Sequence, residues 1–340
     1  MKPFLMSKEE IKLHCEQKKE HYGEWPEIDS EEFKDDVLPR TLPELTKKCS
    51  CECVSGKASI PRIVQFVKTD DTFNAMEWLA VLAALKYINP ERIIVHSLTQ
   101  MKDCWWNRTL PLVQHNVVTR RLWDKINRIE VSQPAHQADF LRLIALYERG
   151  GIYMDTDALT MKSFDPLLAS RKNVFAWGSL GFKLKNGIPM AGNGLMIAPR
   201  RSCFICQFMQ KAVDYFDGDV WSVQHSNKLL ASMLYGQKEE VMSDVLVLPL
   251  TEGFFDSYFI GSPKLLRTDA DKLDYNVTPW YSLHLYHTTK VPKLLKYFYD
   301  FDYLTKAKTV IANIAQHVMP SVLTREHFDD ERCLSITYYR

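Results

Sequence analysis

His136-Gln137-Ala138-Asp139-Phe140-Leu141-Arg142-Leu143-Ile144-Ala145-Leu146-Tyr147-Glu148-Arg149-Gly150-Gly151-Ile152-Tyr153-Met154-Asp155-Thr156-Asp157 is the stretch that decides how this chain is read. Phe140, Leu143, Ile144 and Tyr147 recur at helical spacing, so Asp139 to Arg149 reads as a helix with one packed face, and Asp139 and Arg142 share a polar one. Gly150-Gly151 ends that helix, because glycine tolerates the left-handed conformation that follows a last turn. Ile152-Tyr153-Met154 then resumes as an apolar strand and runs into Asp155-Thr156-Asp157. Side chains alternate along a strand, so these two carboxylates are expected on one side, at the carboxyl end of a buried strand where α/β sheets bind ligands. Paired acids repel unless a cation sits between them. A hard divalent ion, Mn²⁺ or Mg²⁺, is the natural partner and keeps coordination positions for a diphosphate.

Upstream, Ile60 to Val67 is β-rich, Asn74 to Ile88 is helical with Asn74 and Glu77 placed as a start signal, Asn89-Pro90 stops it, and Arg92 to His96 is a second strand. This βαβ unit opens a parallel sheet with helices on its faces. Later β-like runs are Asn173 to Trp177, Gly194 to Ala198 and Val245 to Leu250, with a helix between the second and third, and the chain reads as helical from Lys293 to about Val318. The first 50 residues are dense in charge and read as a solvated stem, with one helix over Lys8 to His21. The expected division is a stem or linker over 1–58, a catalytic domain over 59–290 and a helical extension over 291–340.

Composition narrows the function classes. Across 340 residues, 43 Lys+Arg against 42 Asp+Glu leave a formal charge of +1, which gives no reason to expect a nucleic-acid partner. The longest apolar run, Trp78 to Leu85, is far short of the roughly 20 residues that cross a bilayer, and no basic and apolar leader is visible at Met1 to Glu10, so the chain as written is expected to be soluble. Of eight cysteines, Cys49, Cys51 and Cys53 form C-x-C-x-C, open to a disulfide, palmitoylation, plain thiols or, least in keeping with the spacing, zinc. Cys203 and Cys206 share a helical face and read as buried core thiols. Sequons at Asn107 and Asn276 permit glycosylation in a secretory lumen. No G-x-x-x-x-G-K-[ST], H-E-x-x-H or G-x-S-x-G is present, so phosphotransferase and hydrolase mechanisms built on those motifs lack their residues.

The central segment, with Asp139, Arg142, Gly150-Gly151, Tyr153 and the D-x-D, resembles the signature of the DXD-motif glycosyltransferases of family 32, the α-1,4-galactosyl-, N-acetylglucosaminyl- and fungal α-mannosyltransferase type. Weaker likenesses run from Ile60-Pro61-Arg62-Ile63 through Gly192-Asn193-Gly194 to Ser282-Leu283-His284-Leu285. The resemblance implies an α/β, GT-A-like, Rossmann-type fold with a mostly parallel sheet. It implies Asp155 and Asp157 as the catalytic metal and diphosphate site, with His284 as a further metal ligand and His287 as second choice. Asp139, Arg142, Tyr153, Asn193 and Gly194 would bind the donor. The implied reaction moves a hexose or N-acetylhexosamine from a nucleotide sugar, UDP-sugar favoured over GDP-sugar, to a glycan, glycolipid or other hydroxyl acceptor, with retention. Tyr286 stands where the family often has Trp. The competing reading is a nucleotide-sugar hydrolase or an inactive nucleotide-sugar or glycan-binding protein of the same fold. By resemblance the enzyme is expected in the Golgi lumen, membrane-associated only through an anchor this chain lacks; a soluble cytoplasmic enzyme is the alternative.

Overall fold

Strand β1 (Ile63–Lys68) sits at the centre of the fold, and its side chains alternate between two apolar layers. Val64 and Phe66 belong to one core cluster and Val67 to the other. The computed structural model describes residues 52–54, 58–117, 125–126, 128–178, 190–219, 224–235, 243–249, 253–256, 262–273, 279–285, 296–319 and 325–328. After β1 comes helix α1 (Ala75–Ile88), whose capping box is complete: the Asn74 side chain accepts from Met76 and Glu77 N–H, while the Glu77 carboxylate accepts from Asn74 N–H. Asn89 ends it in the left-handed region at φ 48°, and β2 (Arg92–Ser97) returns parallel to β1. The βαβ opening read from the sequence is therefore present, its first strand beginning three residues later than expected.

β3 (Gln114–Val117) adds parallel to β2 at the sheet edge, and β4 (Lys125–Ile126) and β5 (Ile129–Glu130) form a small antiparallel pair. Helix α2 (Pro134–Arg149) starts five residues before the expected Asp139, because Pro134 occupies its first turn, where a missing N–H costs nothing. β6 (Gly151–Met154) pairs parallel with β1, and β7 (Ala158–Thr160) leaves the main sheet. β8 (Asn173–Trp177), β9 (Ala191–Ala198) and β10 (Val245–Leu248) complete a seven-stranded sheet of order β10-β8-β9-β6-β1-β2-β3. Only β9 runs against its neighbours, so the sheet is mostly parallel. β11 (Phe254–Asp256) and β12 (Ser282–His284) join β7 in a second, three-stranded sheet. Helices α3 (Cys203–Asp214) and α4 (Asn227–Tyr235), two rather than the single expected helix, pack with α2 on one face; α1 and α5 (Val310–Val318) lie on the other. This is the expected α/β class with helices on both faces.

The Gly-Gly turn has a sharper cause than a helix cap. Gly150 (φ 67°) and Gly151 (φ 94°) both lie at positive φ, and a Cβ would come 2.5 Å from Arg200 N at the first and 2.4 Å from Ile63 O at the second. Side-chain-free backbone is what lets β6 enter between β1 and β9. Buried Gln65 pins the turn by donating to Gly150 O at 2.7 Å and Ala145 O at 3.3 Å. Its amide oxygen must then accept, so His96 Nε2, 2.9 Å away, carries the proton. Burial, with Arg149 nearby, pushes the His96 imidazole down to about 3. The unfolded chain takes this proton near pH 6.5 and the folded one does not, so the stabilisation is complete above pH 6.5 and is lost as pH falls toward 3, at about 1.4 kcal/mol per pH unit for one proton. Urea unfolding should therefore show stability falling from pH 7 to pH 5, with a shallower slope in His96→Gln; equal slopes in the two proteins would contradict it.

Two expectations are corrected. The C-terminal run is not one helix: Ala307 and Lys308 break it between the short helix Phe301–Lys306 and α5, whose start is capped by the Thr309 hydroxyl accepting from Ala312 N–H. Ile311, Ile314 and Ala315 of α5 belong to the same core cluster as α1. Cys203 is not a core thiol, since it forms a disulfide with Cys53, and Cys206 is disulfide-bonded as well. The bond locks Val54 beside Ser202, where Val54 N–H donates to Arg201 O and Cys203 N–H to Val54 O. A partner 150 residues away in sequence is invisible to local spacing. The disulfide resolves the open reading for Cys53; Cys49, Cys51, the Lys8 to His21 helix and the Asn276 sequon lie outside the described residues.

Candidate functional site

β6 ends at Met154, and the D-x-D forms the joint between the two sheets. Asp155 N–H donates to Gly194 O of β9 at 2.8 Å, Ala158 N–H closes the turn on Asp155 O at 3.0 Å, and Leu285 N–H holds Asp157 O at 3.0 Å. The two carboxylates converge because the chain turns between them, not because they alternate along a strand. β12 lies antiparallel to β7 with His284 opposite Ala158, which brings its imidazole to the same point. His284 Nε2 is 3.1 Å from Asp157 Oδ1 and 3.5 Å from Asp155 Oδ2. One ligand atom from each of Asp155, Asp157 and His284 lies within 4.8 Å of the others. Two hard carboxylate oxygens and one imidazole nitrogen fit a Mn²⁺ or Mg²⁺ ion, with coordination positions to spare. His287 and Tyr286 lie outside the described residues.

Asp155 divides its two oxygens. While Oδ2 faces His284, Oδ1 accepts from the Tyr153 hydroxyl at 2.5 Å and pairs with Arg142 Nη1 at 3.2 Å. Arg142 is buried, contrary to the polar-face reading of its helix, because β9 covers that face. Its Nη1 donates to Asn193 O at 3.0 Å, its Nε donates to Ala138 O at 3.2 Å, and its Nη2 is 3.4 Å from Asp139 Oδ1. The guanidinium also lies 4.8 Å from the Tyr153 ring centroid. Asn193 Nδ2 donates to Asp139 Oδ1 at 2.7 Å, and His225 Nε2 sits 3.3 Å from Asp139 Oδ2. Burial works against the Asp139 charge, but Arg142 and then His225 hold its carboxyl below the usual carboxylate range. Burial also works against the Arg142 charge, yet Asp155, Tyr153 and Asp139 keep the guanidinium more firmly protonated than usual. Tyr153, buried and facing Asp155, is pushed well above its ordinary value and stays a neutral donor.

The chain therefore gathers Asp139, Arg142, Tyr153, Asn193, Asp155, Asp157 and His284 into one connected site, with Gly194 contributing its carbonyl. Two residues of the site were not anticipated. His225 carried no motif and reaches Asp139 through tertiary packing, its ring stacked on Phe140. Glu77 was read as a cap and also accepts from the Thr156 hydroxyl at 2.9 Å.

Residues 65–174 match the family described as "Glycosyltransferase sugar-binding region containing DXD motif". Over those residues the chain is similar to that glycosyltransferase region. This sugar-binding region holds Asp139, Arg142, Tyr153 and the D-x-D, while Asn193, His225 and His284 are supplied by chain beyond it. The chain is 29% identical over 161 residues to "Glucan organizing enzyme 1" of Cryptococcus neoformans var. grubii, an overlap of 47% of this chain and 43% of that protein. It thus spans less than half the length of that relative. Among solved structures it is similar to the glycosyltransferase GlyE of Streptococcus pneumoniae TIGR4 (14% identity, TM-score 0.45, 74% of this chain and 63% of that one). It is also similar to the galactosyltransferase LgtC with donor and acceptor sugar analogs (12% identity, TM-score 0.38, 76% and 96%).

Proposed function

We propose that this protein is a metal-dependent glycosyltransferase that moves a hexose or N-acetylhexosamine from a nucleotide sugar, UDP-sugar favoured over GDP-sugar, to a hydroxyl of a glycan or glycolipid, with retention at the anomeric carbon. The observation that carries this is the convergence of Asp155, Asp157 and His284 at the carboxyl end of β6, inside and beside a sugar-binding region of that family. Asp155, Asp157 and His284 would hold a divalent ion, which would supply Lewis acidity to a departing diphosphate, where negative charge develops. The chain's own residues prepare that point. Arg142 and Tyr153 bind Oδ1 of Asp155, which leaves Oδ2 directed at the metal position. Asp139, its charge maintained by Arg142 and its orientation by Asn193 and His225, is the acceptor group offered to donor hydroxyls.

A lumenal Golgi location is part of the same proposal. It is supported by the Cys53–Cys203 disulfide, which persists in oxidising compartments, and by the exposed Asn107 of the first sequon. No helix among the described residues is long and apolar enough to cross a membrane.

Treatment with EDTA should silence donor turnover, and Mn²⁺ added in excess should restore it, because hard oxygen ligands bind the ion reversibly. Full turnover in chelator would remove the metal from the mechanism.

A further inference from the structure

The middle residue of the D-x-D has a partner that its motif does not call for. Thr156 donates its hydroxyl to Glu77 Oε1 at 2.9 Å. Glu77 is buried in the first turn of α1, and capping that helix uses only its other oxygen, which accepts from Asn74 N–H at 2.8 Å. Oε1 is occupied by Thr156 and by Lys68 Nζ, 2.6 Å away at the end of β1. Lys68 in turn lies 3.0 Å from Asp70, so its charge is shared between two carboxylates in a nearly closed pocket. Burial opposes that charge, and Glu77 and then Asp70 overcome it, which keeps the ammonium in place. One carboxylate thereby ties β1, α1 and the turn between the two sheets. The turn is also held by backbone groups, Asp155 N–H and Asp155 O at its entry and Asp157 O at its exit, and by Arg142 and Tyr153 on the Asp155 carboxylate. Those bonds act at its ends, and the Thr156 hydroxyl anchors its middle.

We propose that Glu77 and Thr156 are positioning residues for the metal site, holding the D-x-D turn in the rotation at which Asp155 and Asp157 can ligate one ion together. The inference rests on the reading of Asp155, Asp157 and His284 as metal ligands and adds to it the group that sets their geometry. Groups that orient metal ligands without touching the metal typically contribute 10–100-fold in affinity.

The test is the dissociation constant of Mn²⁺ alone, measured by the free-ion electron paramagnetic resonance signal, with the thermal midpoint recorded for each protein. Thr156→Val keeps the shape and removes the donor, and should weaken Mn²⁺ binding tenfold or more with a midpoint within a few degrees of wild type. Thr156→Ser restores the hydroxyl and should stay within about twofold of wild type. Glu77→Asp keeps the charge that Lys68 needs but withdraws the carboxylate from Thr156, and should weaken binding as Thr156→Val does. Wild-type affinity in Thr156→Val or in Glu77→Asp overturns the inference while leaving the metal site intact. A wild-type protein that binds no Mn²⁺ overturns the metal-site reading itself, and the inference with it.

Discussion

Asp157→Ala should lower glycosyl transfer by about a thousandfold or more, the equivalent of roughly 4 kcal/mol of transition-state stabilisation, while the protein stays folded. The Asp157 carboxylate lies 3.1 Å from His284 Nε2 at the proposed metal position, and its backbone oxygen, the acceptor for Leu285 N–H, survives the substitution. Asp155→Ala should be equally inactive but less clean, because it also strips a partner from Arg142 and from the Tyr153 hydroxyl. Steady-state kinetics with thermal midpoints for both variants checks this. Activity within tenfold of wild type in Asp157→Ala would mean that the carboxylate stands outside the reaction.

Arg142→Ala should be the most destabilising single change in the site. The guanidinium is buried between Asp139 and Asp155, and removing it leaves two partly buried carboxylates without their cation and the Asn193 carbonyl without its donor. Breaking a buried pair from one side costs roughly 3–5 kcal/mol, a fall on the order of 10 °C in the thermal midpoint. Arg142→Lys keeps the charge but cannot reach Ala138 O, Asn193 O and both acids at once, so it should recover part of the stability and little of the activity. A wild-type midpoint in Arg142→Ala would show that the pairing does not hold the site together.

What the sequence made legible was local. The capping box of α1 and its stop at Asn89 are short-range patterns, and both are realised. The Gly-Gly turn was legible as a break, but its stringency comes from Ile63 O and Arg200 N, atoms brought near by strand pairing. The helical spacing of Asp139 and Arg142 correctly places them side by side, yet it cannot say which layer covers them; β9, whose Asn193 lies 51 residues beyond Arg142, buries the guanidinium that was expected on an open polar face. His284 could be proposed only through family resemblance, since no local feature of Ser282-Leu283-His284 announces a ligand and its position is set by pairing with β7. The Cys53–Cys203 bond and the second role of Glu77 belong to the same class, contacts fixed by topology between residues that carry no mutual signal in the chain.

The cluster of Asp155, Asp157 and His284 is proposed to turn over nucleotide sugars. The most direct measurement is release of nucleoside diphosphate from a panel of UDP- and GDP-sugars, with Mn²⁺ and with EDTA, for the wild-type protein and Asp157→Ala side by side. Turnover of at least one donor is expected, with a UDP-sugar preferred, that requires the metal and disappears in the variant. Turnover that persists in EDTA or in Asp157→Ala, or no turnover of any donor with Mn²⁺ present, would contradict it.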